Sequence, residues 1–194
     1  MKILPETFEQ ALDLVYKILN QGDSRYNDSE SEIILARFIL MEIVSLEENT
    51  IPEITLPEKI DSHKMGRVQI EEKYLAKLLL NKEGFNDDEI FFERMFLGSR
   101  SDVLGEKENK IIPIECCSCR VNKILDYLSE VEEVWIITRA FSNEESRLFI
   151  FKRGPEWDKI LIFEKYKAEE LKKIPSPLDN LMGVKENDKK KLTT

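Results

Sequence analysis

Histidine is the scarcest chemical resource of this chain: among 194 residues there is one, His63. A lone histidine in Asp61-Ser-His63-Lys64 gives little support to hydrolysis by a nucleophile, base and orienting acid, and nothing in the sequence places it beside a cysteine that it could activate. Cysteine is nearly as scarce. The three present, Cys116, Cys117 and Cys119, crowd into four positions, too close for a disulfide framework and one thiolate short of a four-cysteine zinc or iron–sulfur site. With seven glycines the chain carries no Gly-x-x-x-x-Gly-Lys-Ser/Thr phosphate loop, no Gly-x-Gly-x-x-Gly turn and no Gly-x-Ser-x-Gly elbow. Long apolar runs are also missing. Residues 1–6 have no signal-like apolar core, and the most hydrophobic run, Ile33 to Val44, is broken by Arg37 and Glu42, so the expectation is a soluble, cytoplasmic chain with no membrane partner.

What the chain has is charge. Lys and Arg number 29 against 38 Asp and Glu, a formal −9 that repels polyanions over the surface as a whole, so nucleic-acid binding would need a local basic patch. Charged residues at 35% with little Gln fit the pattern of a thermophile's cytosolic protein. An apolar content of 42% supports a single core, and the length suits one domain with a small appendage.

Helical spacing over Glu6 to Asn20 and again over Ser29 to Glu47 predicts two amphipathic helices joined by a Gly22-Asp23-Ser24 turn. Two prolines break the period between Ile51 and Pro57, and a third helix is expected around Glu71 to Asn81. From Glu89 the pattern shortens to strand-like runs at Ile90–Phe92, Asp102–Leu104, Ile111–Cys117, Val134–Thr138, Leu148–Phe151 and Lys159–Phe163. Val121, Ile124, Leu125 and Leu128 put a helix between the third and fourth runs, which implies a parallel crossover. The expected fold is therefore α/β, a central mixed sheet flanked by helices. Residues 1–66 read as an N-terminal helical extension, 67–178 as the α/β core, and 179–194 as a polar, disordered tail.

The chemistry concentrates between Gly98 and Cys117. If the polar turn is symmetric about Glu108-Asn109, Asp102 lies opposite Glu115, with Glu115 flanked by Ile112, Ile114 and Cys116 in a strand that reads as buried. Like charges in that arrangement call for something positive between them. Mg²⁺ or Mn²⁺ would remove the repulsion and supply a Lewis acid, with Glu93 offering a further oxygen. The bland alternative is an ordinary hairpin with solvated acids.

These residues resemble the PD-(D/E)XK nuclease superfamily, the restriction-endonuclease-like fold, including archaeal members with Arg-x-Asp before an Ile-x-Glu strand. The resemblance covers about Glu93 to Thr138. In that pattern an acidic residue precedes an Asp at the start of a hairpin, Glu-x-Lys ends the next strand, and a helix follows; Glu93, Asp102 and Glu115 take the three acidic positions. The resemblance implies a metal-dependent nuclease acting on DNA, and a homodimer, for which the N-terminal helices of this chain offer an apolar surface.

One departure concerns the lysine. Cys117 stands where the family's lysine would be, on the Glu115 face by strand alternation. Some members carry the lysine on the following helix, which nominates Lys123, yet counting about 100° per residue turns Lys123 away from the apolar face and toward solvent. Arg120 near the helix start, or Arg100 on the strand face of Asp102, are the other sources of positive charge. Cys116 reads as a core residue. For Cys119 a helix N-terminus just beyond it would lower the thiol pKa, which leaves a redox-sensitive or metal-contacting reading open beside packing. Phe91, Phe92, Phe96, Trp135, Phe149 and Phe151 read as core or cross-strand packing. The functional alternative to a nuclease is a catalytically inactive protein of the same fold that binds nucleic acid or a protein partner.

Overall fold

The computed structural model describes residues 1–19, 29–51, 67–139 and 146–158. Met1 to Trp157 form one compact unit. The chain order is β1 (Lys2–Ile3), α1 (Phe8–Leu19), α2 (Ser29–Leu40), β2 (Val44–Thr50), α3 (Arg67–Lys82), a 3₁₀ turn (Asp87–Glu89), β3 (Ile90–Phe96), β4 (Ser99–Lys107), β5 (Lys110–Cys116), α4 (Val121–Glu130), β6 (Glu133–Arg139) and β7 (Ser146–Arg153). The strands form a single mixed sheet in the order β1-β2-β7-β6-β5-β4-β3. Among the described residues only the β5–β6 pair is parallel, and α4 makes the crossover between them, as the strand–helix–strand pattern implied. Among the described residues no helix is long and apolar enough to cross a membrane.

Strand alternation sorts the core into two layers. Trp135 and Ile137 join Val103, Ile112, Ile114 and Cys116 under Leu75, Ala76 and Leu80 of α3. Val134 and Ile136, equally buried, point to the opposite face, where α4 packs on β6 and β7 and α2 packs on α4 and β2. The buried stripe of α4 is Val121, Ile124, Tyr127 and Leu128, so Tyr127 takes the place that spacing assigned to Leu125.

The expected helix from Ser29 to Glu47 divides into two elements. The α2 helix stops at Leu40 because Glu42 adopts φ 55, a left-handed C-terminal cap in which the Ile43 N–H bonds the Phe38 carbonyl at 2.9 Å. The chain then leaves as β2 and pairs antiparallel with β7. The N-terminal segment thus supplies two strands of the sheet as well as two helices, instead of a purely helical extension. Apolar residues at Ile43, Val44 and Leu46 fit either period, and pairing with β7 decides between them. Close packing here requires glycine at 154, where a Cβ would come 1.9 Å from the Glu42 carbonyl oxygen.

The β3–β4 hairpin turns on Leu97 and Gly98, both at positive φ (49 and 75), between the paired Phe96 and Ser99. The β4–β5 hairpin pairs Lys107 with Lys110, which makes Glu108-Asn109 its two-residue turn. The Gly22-Asp23-Ser24 turn, the proline-bearing segment 52–57, His63, the Lys159–Phe163 run and the 179–194 tail lie outside the described residues.

Candidate functional site

The hairpin registers generate a row of acids. Pairing of Phe92 with Val103 and Arg94 with Ser101 brackets Glu93 and Asp102, and pairing of Val103 with Ile114 brings Asp102 beside Glu115 on the next rung. Three carboxylates therefore share one line across β3, β4 and β5. Backbone pairing gives way here: Glu93 adopts φ 54, and the Cys116 N–H bonds the Asp102 Oδ2 at 2.9 Å. A carboxylate thus replaces a carbonyl in the ladder, which ties Asp102 to the backbone that carries Glu115.

Each carboxylate oxygen in the row meets a donor. Glu93 Oε1 pairs with the Lys73 ammonium and Oε2 with Arg100 Nε at 2.8 Å. Asp102 Oδ1 lies 3.3 Å from Lys73 Nζ. Glu115 Oε2 accepts from Lys123 Nζ at 2.6 Å, and Oε1 accepts from the Tyr127 hydroxyl at 3.3 Å. The positive charge that two facing acids demanded is thus supplied by the protein through Lys73, Arg100 and Lys123.

Burial sets the electrostatics. Glu115 is 3% exposed, and its carboxyl is pushed up to about 7 by desolvation, with Lys123 opposing and Asp102 adding to the rise. Burial and the bond to Glu115 also raise the Tyr127 phenol, which therefore stays protonated and able to donate.

Lys123 corrects the expectation of a solvated lysine. Its side chain is largely buried and bridges Glu115 to the Arg100 carbonyl, at 2.7 Å from the latter. The helical count failed for a physical reason: Cα–Cβ bonds lean toward the helix N-terminus, and Lys123 lies in the first turn of α4, just past the end of β5. A long side chain there sweeps back over the strand end.

Cys117 corrects a second expectation. The strand ends at Cys116, and Cys117 takes φ 70, so alternation no longer directs its side chain. Its thiol donates instead to Glu72 Oε2 of α3 at 2.8 Å. Burial and this carboxylate push the Cys117 thiol up to about 12. Cys116 is a core residue, as expected. Cys119 is buried too, and desolvation raises its thiol well above the ordinary value, against the lowering expected from the helix N-terminus.

Arg120, the N-cap residue of α4, and Arg100 line a cavity of about 620 Å³ together with Asp102, Glu115, Cys117 and Lys123. All three basic groups face the space that the acids border. Glu93 stands behind Asp102 and orients Arg100.

Sequence reasoning missed Lys73, Glu72 and Tyr127. For Lys73 a signal existed: it sits three and seven residues before Ala76 and Leu80, on the buried stripe of α3, where a solvated lysine has no place. For Tyr127 the same period in α4 was available. Of the aromatic residues, Trp135, Phe149 and Phe151 are buried, Phe96 packs against Tyr127 with centroids 5.4 Å apart and the rings tilted by 50°, and Phe92 is half-exposed on the edge strand.

Among the described residues no three His, Cys, Asp or Glu side chains converge as a ready-made metal cluster. Asp102 and Glu115 are the two acids that could offer oxygens to a hard divalent cation, which would share them with the donors already in place. Both border the cavity, and an oxygen that accepts one bond retains a second lone pair. The fold and site define an α/β protein with a buried acid–lysine cluster at one end of a mixed sheet. Set against protein-family models, curated proteins and solved structures, the chain matches none of them.

Proposed function

We propose that this protein is a divalent-metal-dependent nuclease that cleaves phosphodiester bonds, with DNA as its substrate. The observation that carries the reading is Lys123 held against Glu115 beside Asp102 on a cavity wall, which combines two strand acids with a lysine from the following helix. The arrangement resembles the variant of the PD-(D/E)XK pattern in which the lysine stands on that helix, and this resemblance supports the reading.

In this reading Asp102 and Glu115 hold Mg²⁺ or Mn²⁺, and the ion supplies a Lewis acid and an activated water. The chain's own residues do the rest. Lys123, already placed at Glu115, presents its ammonium where phosphate charge accumulates. Arg100 and Arg120, exposed at the same cavity, offer the phosphate backbone a local positive charge on an otherwise acidic chain. Tyr127 keeps Glu115 oriented, and the Cys116 N–H does the same for Asp102.

The test is incubation with plasmid, linear duplex, single-stranded DNA and RNA in Mn²⁺ or Mg²⁺, beside Asp102→Ala, Glu115→Ala and Lys123→Met. Cleavage by the wild type that disappears in all three variants supports the proposal; cleavage of nothing, or cleavage indifferent to the variants, removes it.

A second reading is a catalytically inactive protein of the same fold that binds nucleic acid. It draws on the six acid oxygens already engaged by protein donors and on a thiol at position 117. Salt-dependent DNA binding without Mn²⁺ affinity would favour it.

A further inference from the structure

Three large apolar side chains stand in water beside the cavity. Phe92 is 48% exposed, Met95 62% and Leu97 45%, and they belong to β3, at the end of the strand order, and to the turn that leaves it. Their grouping follows from the break at Glu93. The Arg94 guanidinium lies 4.0 Å over the Phe91 ring, so residues three apart meet on one face that strict alternation would deny them, and the positive φ at Glu93 between them is the reason. Phe92 and Met95 are thereby left together on the other face. Met95 pairs across the strands with Arg100, and Phe96 with Ser99, and both of those partners line the cavity. Cross-strand partners share a face, so the apolar strip runs on from the mouth of the basic cavity.

We infer that this strip is where the bases of a single-stranded DNA pack while its phosphates lie at Arg100, Arg120 and Lys123. The inference rests on the nuclease reading and names the structure of its substrate. Apolar side chains beside cations fit a strand whose bases are splayed out next to its phosphates; in a duplex the base faces are stacked inside and cannot reach Phe92. A duplex also presents two phosphate backbones, which call for a broader basic face than a chain of formal charge −9 supplies. A second copy of this chain fits the strip less well on two counts. It brings a further −9, and the positive φ at Glu93 interrupts the regular backbone ladder that a neighbouring strand would extend.

The experiment measures the anisotropy of labelled oligonucleotides, in EDTA and again in Ca²⁺, with the wild type, the double variant Phe92→Ala/Met95→Ala, and Phe92→Trp. The probes are an oligothymidylate, a duplex of equal length, and a strand of the same charge that lacks its bases. Wild type should bind the oligothymidylate roughly tenfold tighter than either other probe, and the double variant should lose about that factor for the oligothymidylate alone. Its slope of log affinity against log salt should stay that of the wild type, because no phosphate contact is removed. Trp135 and Trp157 are buried, so in Phe92→Trp a quench of emission by the oligothymidylate, absent with the baseless strand, marks stacking at position 92. Equal binding of duplex and single strand, a double variant that binds as the wild type does, or emission of Phe92→Trp that ignores the oligothymidylate overturns the inference and leaves the nuclease reading standing. So does a wild type that is dimeric by light scattering beside a monomeric double variant, since a second copy then covers the strip. If no probe binds under either condition, the inference and the proposed function both fall.

Discussion

Lys123 Nζ joins Glu115 Oε2 at 2.6 Å and the Arg100 carbonyl at 2.7 Å, so one helix residue clasps the ends of β4 and β5. Lys123→Met removes the clasp and leaves Glu115 buried without its cation. The expected loss of stability is roughly 3 kcal/mol at pH 8. At pH 6 it is smaller, because a carboxyl raised to about 7 beside Lys123 then takes a proton in place of its partner. Urea denaturation of wild type and variant at the two pH values checks both the loss and its pH dependence.

Glu115 itself makes the fold sensitive to pH. Its carboxyl titrates near 4.5 when unfolded and near 7 when folded, a raised value, so its contribution is fully present below about 4.5 and is lost as pH rises through 7. The Glu115→Gln variant lacks this titration. Comparing urea midpoints between pH 4.5 and 8, wild type should lose stability relative to the variant by roughly 3 kcal/mol; parallel curves would show that burial does not raise the carboxyl.

The Cys117 thiol is a poor nucleophile by construction. Pushed up to about 12 by burial and by its bond to Glu72, it holds about a thousandfold less thiolate at pH 8 than a thiol at the reference 9.0. Alkylation by iodoacetamide should be correspondingly slow in the folded protein and faster in Glu72→Gln, with the modified peptide identified by mass spectrometry. Rapid modification of wild-type Cys117 at pH 8 contradicts the hydrogen bond.

Gly154 tests the corner that converts the end of α2 into a strand. An alanine Cβ would meet the Glu42 carbonyl oxygen at 1.9 Å, and neither backbone can yield without disturbing the Gly154 N–H bond to the Ile43 carbonyl at 2.8 Å. Gly154→Ala should cost about 3 kcal/mol or more, read as a lowered Tm. An unchanged Tm would mean that the β2–β7 junction is looser than its geometry.

Periodicity by itself determined the α/β class and the helix at Val121–Glu130 within its observed bounds, and the supposition of a turn centred on Glu108-Asn109 led to the β4–β5 register that puts Asp102 beside Glu115. These are local properties: a helix repeats every few residues, and a two-residue turn dictates which strand positions meet. Tertiary structure decided the rest. Residues after Leu40 suited helix and strand alike until β7 offered a pairing edge. Cys117 left its predicted face because one positive φ ended the alternation. Lys123 turned inward because a first-turn side chain leans back over the preceding strand. Lys73, some twenty residues before Glu93 in the chain, entered the acid row only because α3 lies across the sheet. Residue spacing told where the acids would gather; the packing of α3 and α4 on the two faces determined which cations meet them.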